Sequence, residues 1–179
     1  MSRIARDVVR RYARHFPAFY ELQGTARRKL NLALGRLHDG DFEYFRIFDG
    51  KNATIIDVGA NIGQSIATLS LVCGDCTTHS FEPNPEIYRR LERFARNRRA
   101  SFVYSEALGP EEGMMRLHVP YLGRLCLSQL ASLVDPDPAQ LSQMLKGWGF
   151  GNVTAASLSY RTFDVPIKTR THMDLSRMP

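Results

Sequence analysis

The sequence has no apolar stretch long enough to cross a membrane, so membrane-spanning helices are not expected. No export signal is expected either, because Arg3, Arg6, Arg10, Arg11 and Arg14 interrupt any apolar run near the start. Cysteine is scarce: Cys73, Cys76 and Cys126 are the full set, and three cannot all pair. A disulfide scaffold is thereby excluded, and a reducing cytoplasm is the expected compartment. Low-complexity tracts and internal repeats are absent. A P-loop is absent too, since glycine and lysine are never followed by serine or threonine in the order that motif needs. Acidic residues are the minority charge, 18 against 24 lysines and arginines, for a formal net charge of +6.

What is present is enough for a globular domain. The 179 residues are 44% hydrophobic and 23% charged, which suits a single domain with a real core rather than a disordered chain. The positive excess is mostly arginine, in the first 40 residues and in Arg89–Arg99. It favours anionic partners in general (nucleic acid, acidic lipid or a phosphorylated substrate) without choosing among them.

Residues 1–50 read as a basic helical cap. Ile4, Val8, Tyr12 and Val9, Phe16, Phe19 fall at helix spacing, Pro17 breaks or restarts the helix, and a second helix is expected over Thr25–Leu37. The aromatic group Phe42, Tyr44, Phe45 and Phe48 and an Asp49-Gly50 turn lead to a strand. Residues 51–179 read as the second domain. A helix is expected to stop at Gly74 in left-handed geometry, and Asn84, Pro85 and Glu86 give the next helix an N-cap, an N1 proline and an acid in its first turn. Further strands are expected at Thr77–Phe81, Ser101–Ser105, Met114–Val119 and Val165–Thr171, with residues 120–152 irregular.

The most informative stretch is Thr54–Gln64, T-I-I-D-V-G-A-N-I-G-Q. A strand runs into Asp57, then a loop with Gly59 and Gly63, then helix-spaced Ile62, Ile66 and Leu69. The strand that follows ends in a second acid, Glu82. Strand, glycine loop, helix, strand, acid is the layout of a nucleoside-binding α/β unit. A carboxylate at the end of the second strand can accept hydrogen bonds from two ribose hydroxyls, which fits NAD, FAD or S-adenosylmethionine. The loop separates these ligands. Asn61 and Gln64 stand where a dinucleotide loop has its second and third glycines. S-adenosylmethionine has no phosphate; it needs a glycine beside the methionine moiety and an acid for its ammonium. Asp57, Gly59, Asn61 and Gly63 supply those, with Asn61 as the best substitute for glycine at a left-handed bend.

The D-V-G-A-N-I-G loop, the F-E-P-N-P strand exit and the A-L-G after the third strand resemble the FkbM family of S-adenosylmethionine-dependent methyltransferases. The resemblance covers about Lys51–Gly109 well and extends loosely through Gly113, Ser132-Leu133 and Val165–Leu175. It implies an α/β, Rossmann-like class I methyltransferase sheet and methyl transfer to an oxygen of a small-molecule or saccharide acceptor. It also implies a cofactor loop of Asp57, Gly59, Ala60, Asn61, Gly63 and Gln64, a ribose acid at Glu82, and Pro83 and Asn84 shaping the adenine side. The family's later isoleucine-lysine-x-aspartate-x-glutamate-glycine strand is missing: Ile167-Lys168 has no such continuation. The expected sheet is therefore incomplete, with a central edge unpaired, and the chain is expected to be a truncated product, a fragment, or a domain completed by self-association or a partner chain.

Two other functions stay open: a catalytically inactive cofactor-binding or interaction module, and a nucleic-acid methyltransferase suggested by the basic charge. The second lacks the Asn/Asp-Pro-Pro-aromatic motif, since Asn84-Pro85 is followed by Glu86. Cys73, Cys76 and His79 spell C-x-x-C-x-x-H without a fourth ligand, so thiols without a metal are expected. The arginines at 89, 90, 93, 96, 98 and 99 are expected to form a solvated helix face, and the basic first helix to cap the sheet rather than lie on a membrane. His118, His172 and Asp174 are the late candidates for a base, each expected to be structural or surface, and Trp148 is expected to anchor packing. No catalytic base is assigned.

Overall fold

A computed structural model of the chain describes residues 17–169. The expected first helix, His172 and Asp174 lie outside these residues. The fold is mixed α/β. No helix among the described residues is long and apolar enough to cross a membrane. The described residues form two compact units, one built from residues 26–115 and 164–169, the other from residues 17–25 and 116–163.

The first unit holds the motif. Helix α1 (Pro17–Ala33) covers the start expected at Thr25 and extends N-terminal of it to Pro17; its residues from Ala26 on belong to this unit. It ends earlier than expected, because Gly35 turns left-handed at φ 62° and the Arg36 N–H closes back on the Asn31 carbonyl. A 3-10 helix, Gly40–Phe48, carries the aromatic group, with Asp39 capping it through the Asp41 N–H. Strands β1 (Thr54–Val58), β2 (Thr77–Phe81) and β3 (Ser101–Tyr104) form a parallel sheet in the order β1-β2-β3. Helix α2 (Gln64–Val72) links β1 to β2, and helix α3 (Pro85–Ala95) links β2 to β3. Strand β4 (Ala107–Leu108) pairs parallel with the end of β7 (Leu158–Lys168).

Two apolar clusters hold the helices against this sheet. Ala60, Ile66, Leu91 and Ala95 pack with Phe94 and Val103. Leu69, Val72, Cys73 and Cys76 pack with Ile55, Phe42 and Phe45. Alternation along β1 turns Ile55 and Asp57 inward and leaves Thr54, Ile56 and Val58 exposed. β1 is an edge strand: among the described residues it pairs with β2 alone.

The connection after α2 differs from expectation. The helix is capped by Cys73, and Gly74 is not among the left-handed glycines. Instead Cys73 and Cys76, with Cα atoms 5.5 Å apart, are joined as a disulfide where thiols are expected. Asp75 between them accepts from the Gly50 and Asn52 N–H groups, and Asp49 accepts from Gly74, so side chains clamp this loop to the turn before β1.

The second unit is built on β5 (Gly113–Leu122), β6 (Leu125–Cys126) and helix α4 (Pro138–Gly147). β5 and β6 form an antiparallel hairpin closed through Gly123 at φ 61°. β5 runs on through Pro120, whose carbonyl accepts from Leu127, so the missing proline N–H does not stop the strand. Residues 120–152 are therefore not irregular throughout. Asp137 caps α4 through the Ala139 and Gln140 N–H groups and Pro138 fills its first turn. Leu141 and Leu145 of α4 pack on Leu122, Leu125, Phe150 and Val153. Trp148 follows as the C-cap and is part exposed, so it is not a buried anchor.

Candidate functional site

The parallel sheet brings Asp57 and Glu82 to the same end of neighbouring strands. Asp57 is in register with Ser80, and Glu82 lies two residues beyond Ser80. The loop 59–63 is tied to the same strand end: the Gly59 and Ala60 N–H groups both donate to the Phe81 carbonyl, at 2.9 and 3.0 Å.

Glu82 is the centre of the arrangement. It is 8% exposed, and its two oxygens accept from different segments. Oε2 takes the Asn61 N–H at 2.8 Å and Oε1 the Asn84 N–H at 2.9 Å. One carboxylate thus joins the glycine loop to the start of α3. Burial pushes its pKa above the ordinary glutamate range and the charge of Asp57 adds to this, while the two backbone donors pull the other way. Asp57 is also raised, chiefly by burial. Hydrogen bonds from Ser80 (Oγ to Oδ2, 3.2 Å) and Ser65, and the charge of His38, oppose the shift.

The loop residues divide by role. Gly59 has φ 78°, and a Cβ placed there would meet no heavy atom within 4 Å, so space lies beside it. Asn61 has φ 48°, the left-handed bend expected of it, and its Oδ1 accepts from the Ile62 N–H. Gly63 has φ 89° and serves packing: a Cβ there would lie 2.6 Å from Phe94. Ala60 is buried in the core cluster and reaches the loop through its backbone alone. Gln64 opens α2 and is half-buried.

Beyond Glu82, Pro83 is half-buried. Asn84 is 1% exposed, and its Oδ1 caps α3 through the Glu86 N–H at 3.0 Å. Its Nδ2 is buried with no hydrogen-bond partner. A buried amide donor without a partner costs free energy and calls for an acceptor.

Comparison with protein-family models gives no match, nor does comparison with curated proteins. Function is therefore argued from the chemistry of these residues.

Several contributors carry no sequence signal. Ser65 and Ser80 hold Asp57, and His38, whose Nδ1 lies 2.8 Å from Thr68 Oγ1, faces it from the segment after α1. Arg28 of α1 donates to the Ile62 carbonyl inside the loop. A serine or arginine at such distances in sequence is indistinguishable from a surface residue until the fold is known. Other candidates separate. His79 pairs with the Tyr104 hydroxyl at 2.9 Å, apart from the Cys73, Asp75 and Cys76 group. His118, in the second unit, pairs with Asp135 at 3.1 Å.

Proposed function

We propose that the chain binds S-adenosylmethionine at the ends of β1 and β2 and serves methyl transfer to an oxygen of a small-molecule or saccharide acceptor. The observation that carries this reading is Glu82, buried and bonded through both oxygens to the backbone on either side of the strand ends. Each carboxylate oxygen keeps a second lone pair, so Glu82 retains capacity for two ribose hydroxyls. Three further features fit the same ligand. Space lies beside Gly59, Asp57 offers a carboxylate for an ammonium, and the buried Asn84 Nδ2 can donate to a nucleoside acceptor. Asn61 and Gln64 occupy the positions where a pyrophosphate-binding loop has its second and third glycines. The parallel order β1-β2-β3 with α2 and α3 as crossovers supports a Rossmann-like methyltransferase sheet, and the cytoplasm is the proposed setting.

Bound there, the cofactor supplies an electrophilic sulfonium methyl. The chain contributes position. Glu82 and Asp57 fix the two ends of the ligand, and the left-handed Gly59 and Asn61 shape the loop between them. Orientation of this kind accounts for a large share of the rate in transfer reactions.

Titration calorimetry tests the reading. S-adenosylmethionine should bind saturably, and NAD or ATP should not displace it. Failure to bind, or displacement by NAD, would overturn it. A cofactor-binding module without catalysis is the second reading. Formation of S-adenosylhomocysteine with a hydroxylated acceptor separates the two.

A further inference from the structure

The closed loop between α2 and β2 is not used by the cofactor reading. Cys73 and Cys76 are bonded to each other across Gly74 and Asp75, and both are buried, at 2% and 7% exposure. The two residues between them grip the turn before β1. Asp75 accepts the Gly50 N–H at 3.0 Å on one oxygen and the Asn52 N–H at 2.7 Å on the other, and the Gly74 N–H donates to Asp49 at 3.1 Å. The Asn52 N–H, helped by that of Gly50, holds the Asp75 carboxyl below the ordinary aspartate range, so it is charged at neutral pH. The turn needs such a grip. Gly50 and Asn52 are both left-handed, at φ 76° and 50°, a conformation that costs free energy for Asn52.

The surroundings also suit the reduced pair. Cys73 Sγ lies 3.7 Å from Asp75 Oδ1, and Cys76 Sγ lies 4.0 Å from the Phe48 carbonyl oxygen. Bonded sulfurs have no proton to donate, but two thiols would each have a weak acceptor already in place. Neither redox state leaves a buried donor without a partner. In a reducing compartment a disulfide is seldom permanent and commonly senses redox state. We propose that Cys73 and Cys76 form a redox-sensitive latch. Closed, it fixes loop 73–76 against the turn ahead of β1; opened by a dithiol reductant, it lets that turn loosen. A thiolate of the reductant attacks one sulfur, the S–S bond breaks and a mixed disulfide forms. The reductant's second thiol then resolves it. Cys73 and Cys76 gain two electrons and two protons, and the reductant leaves as its own disulfide. Access is through the exposed Gly74, where the loop swings aside. In the closed state both sulfurs are spent in the bond, so Cys73, Asp75 and Cys76 act as a latch rather than as metal ligands. The latch is independent of the cofactor reading.

Thiol titration and amide hydrogen exchange on the full chain, at defined ratios of reduced to oxidised dithiothreitol, test it. Two thiols per chain should be gained along one titration curve and lost again when oxidised dithiothreitol is restored. In the reduced chain the amides of Gly50, Asn52 and Gly74 should exchange roughly ten- to thirtyfold faster, the change expected when a short covalent loop is opened. The Glu82 amide, bonded to the Tyr104 carbonyl at the far end of the sheet, should keep its rate. Cys73→Ser combined with Cys76→Ser should show the fast rates with or without reductant. Equal rates at Gly50, Asn52 and Gly74 in the two states would overturn the proposal, as would a bond that excess dithiothreitol does not open. So would equal acceleration at Glu82, which would make the bond a staple of the whole unit. One equivalent of zinc on the purified chain, with both thiols unoxidised in air, would assign the group to a metal instead. If the double variant fails to fold, the wild-type exchange rates in the two states decide.

Discussion

Single residues around Glu82 carry separable jobs. Glu82→Ala removes an acceptor that also ties the loop to α3, so S-adenosylmethionine affinity should fall by roughly 1–3 kcal/mol and urea stability should fall with it. Glu82→Gln retains one carbonyl acceptor and should fall less on both counts. The two loop glycines should respond differently. Gly63→Ala drives a methyl into Phe94 and should cost about 1–3 kcal/mol of stability by urea denaturation. Gly59→Val meets open space, so its loss should show mainly in cofactor affinity, with only the smaller cost of a left-handed backbone on folding. Equal effects of both on stability would contradict this division. The raised pKa values of Glu82 and Asp57 also set a pH dependence. Donors and an ammonium favour the ionised forms, so cofactor affinity should rise with pH through the range just above the ordinary carboxylate values and level off once both are charged. Without ligand the sign reverses: a raised folded pKa contributes stability below the unfolded value, lost as pH rises through the folded one. Calorimetric titrations from pH 4.5 to 7.5 read the first effect.

At the level of elements, the start of α3 was legible, while α1 extends N-terminal of the expected Thr25 and ends before the expected Leu37. Asn84, Pro85 and Glu86 announce α3 because a cap, an N1 proline and an acid are all local signals. Asp137 and Pro138 carry the same signal for α4, yet the surrounding glycines and prolines conceal it. Asn84→Ala and Asp137→Ala should each cost about 0.5–2 kcal/mol by urea denaturation, and Asn84→Ala alone should also weaken the cofactor. The parallel pairing of β1 with β2 was legible because a helix-period run lies between them, and a helical crossover brings the chain back in the same direction. The full length of β5 was hidden by Pro120, which accepts from Leu127 although it cannot donate. The exposed edge of β1 has its own consequence. Ile56 and Val58, 38% and 63% exposed, lie on a strand paired on one side among the described residues. Val58→Lys should slow aggregation of the chain, measured by light scattering, with little change in urea midpoint; faster aggregation would show that Val58 is covered in solution.

Across the whole molecule, short-range chemistry was readable and long-range contacts were not. Asp57, Asn61 and Glu82 announced themselves by type and spacing. The serines that hold Asp57 and the bond from Arg28 to Ile62, 34 residues apart, come from packing alone. The pairing of Cys73 with Cys76 was likewise invisible, because C-x-x-C spacing is shared by free, paired and metal-bound thiols.

The claim beneath all of this is that Glu82, Asn84 and the 59–63 loop surround one adenosyl ligand. Amide chemical shifts recorded while S-adenosylmethionine is added measure that directly. The account predicts saturating shifts at Gly59, Asn61 and Glu82 and at the side-chain amide of Asn84. Binding that leaves these four unmoved, or no binding at all, would contradict it.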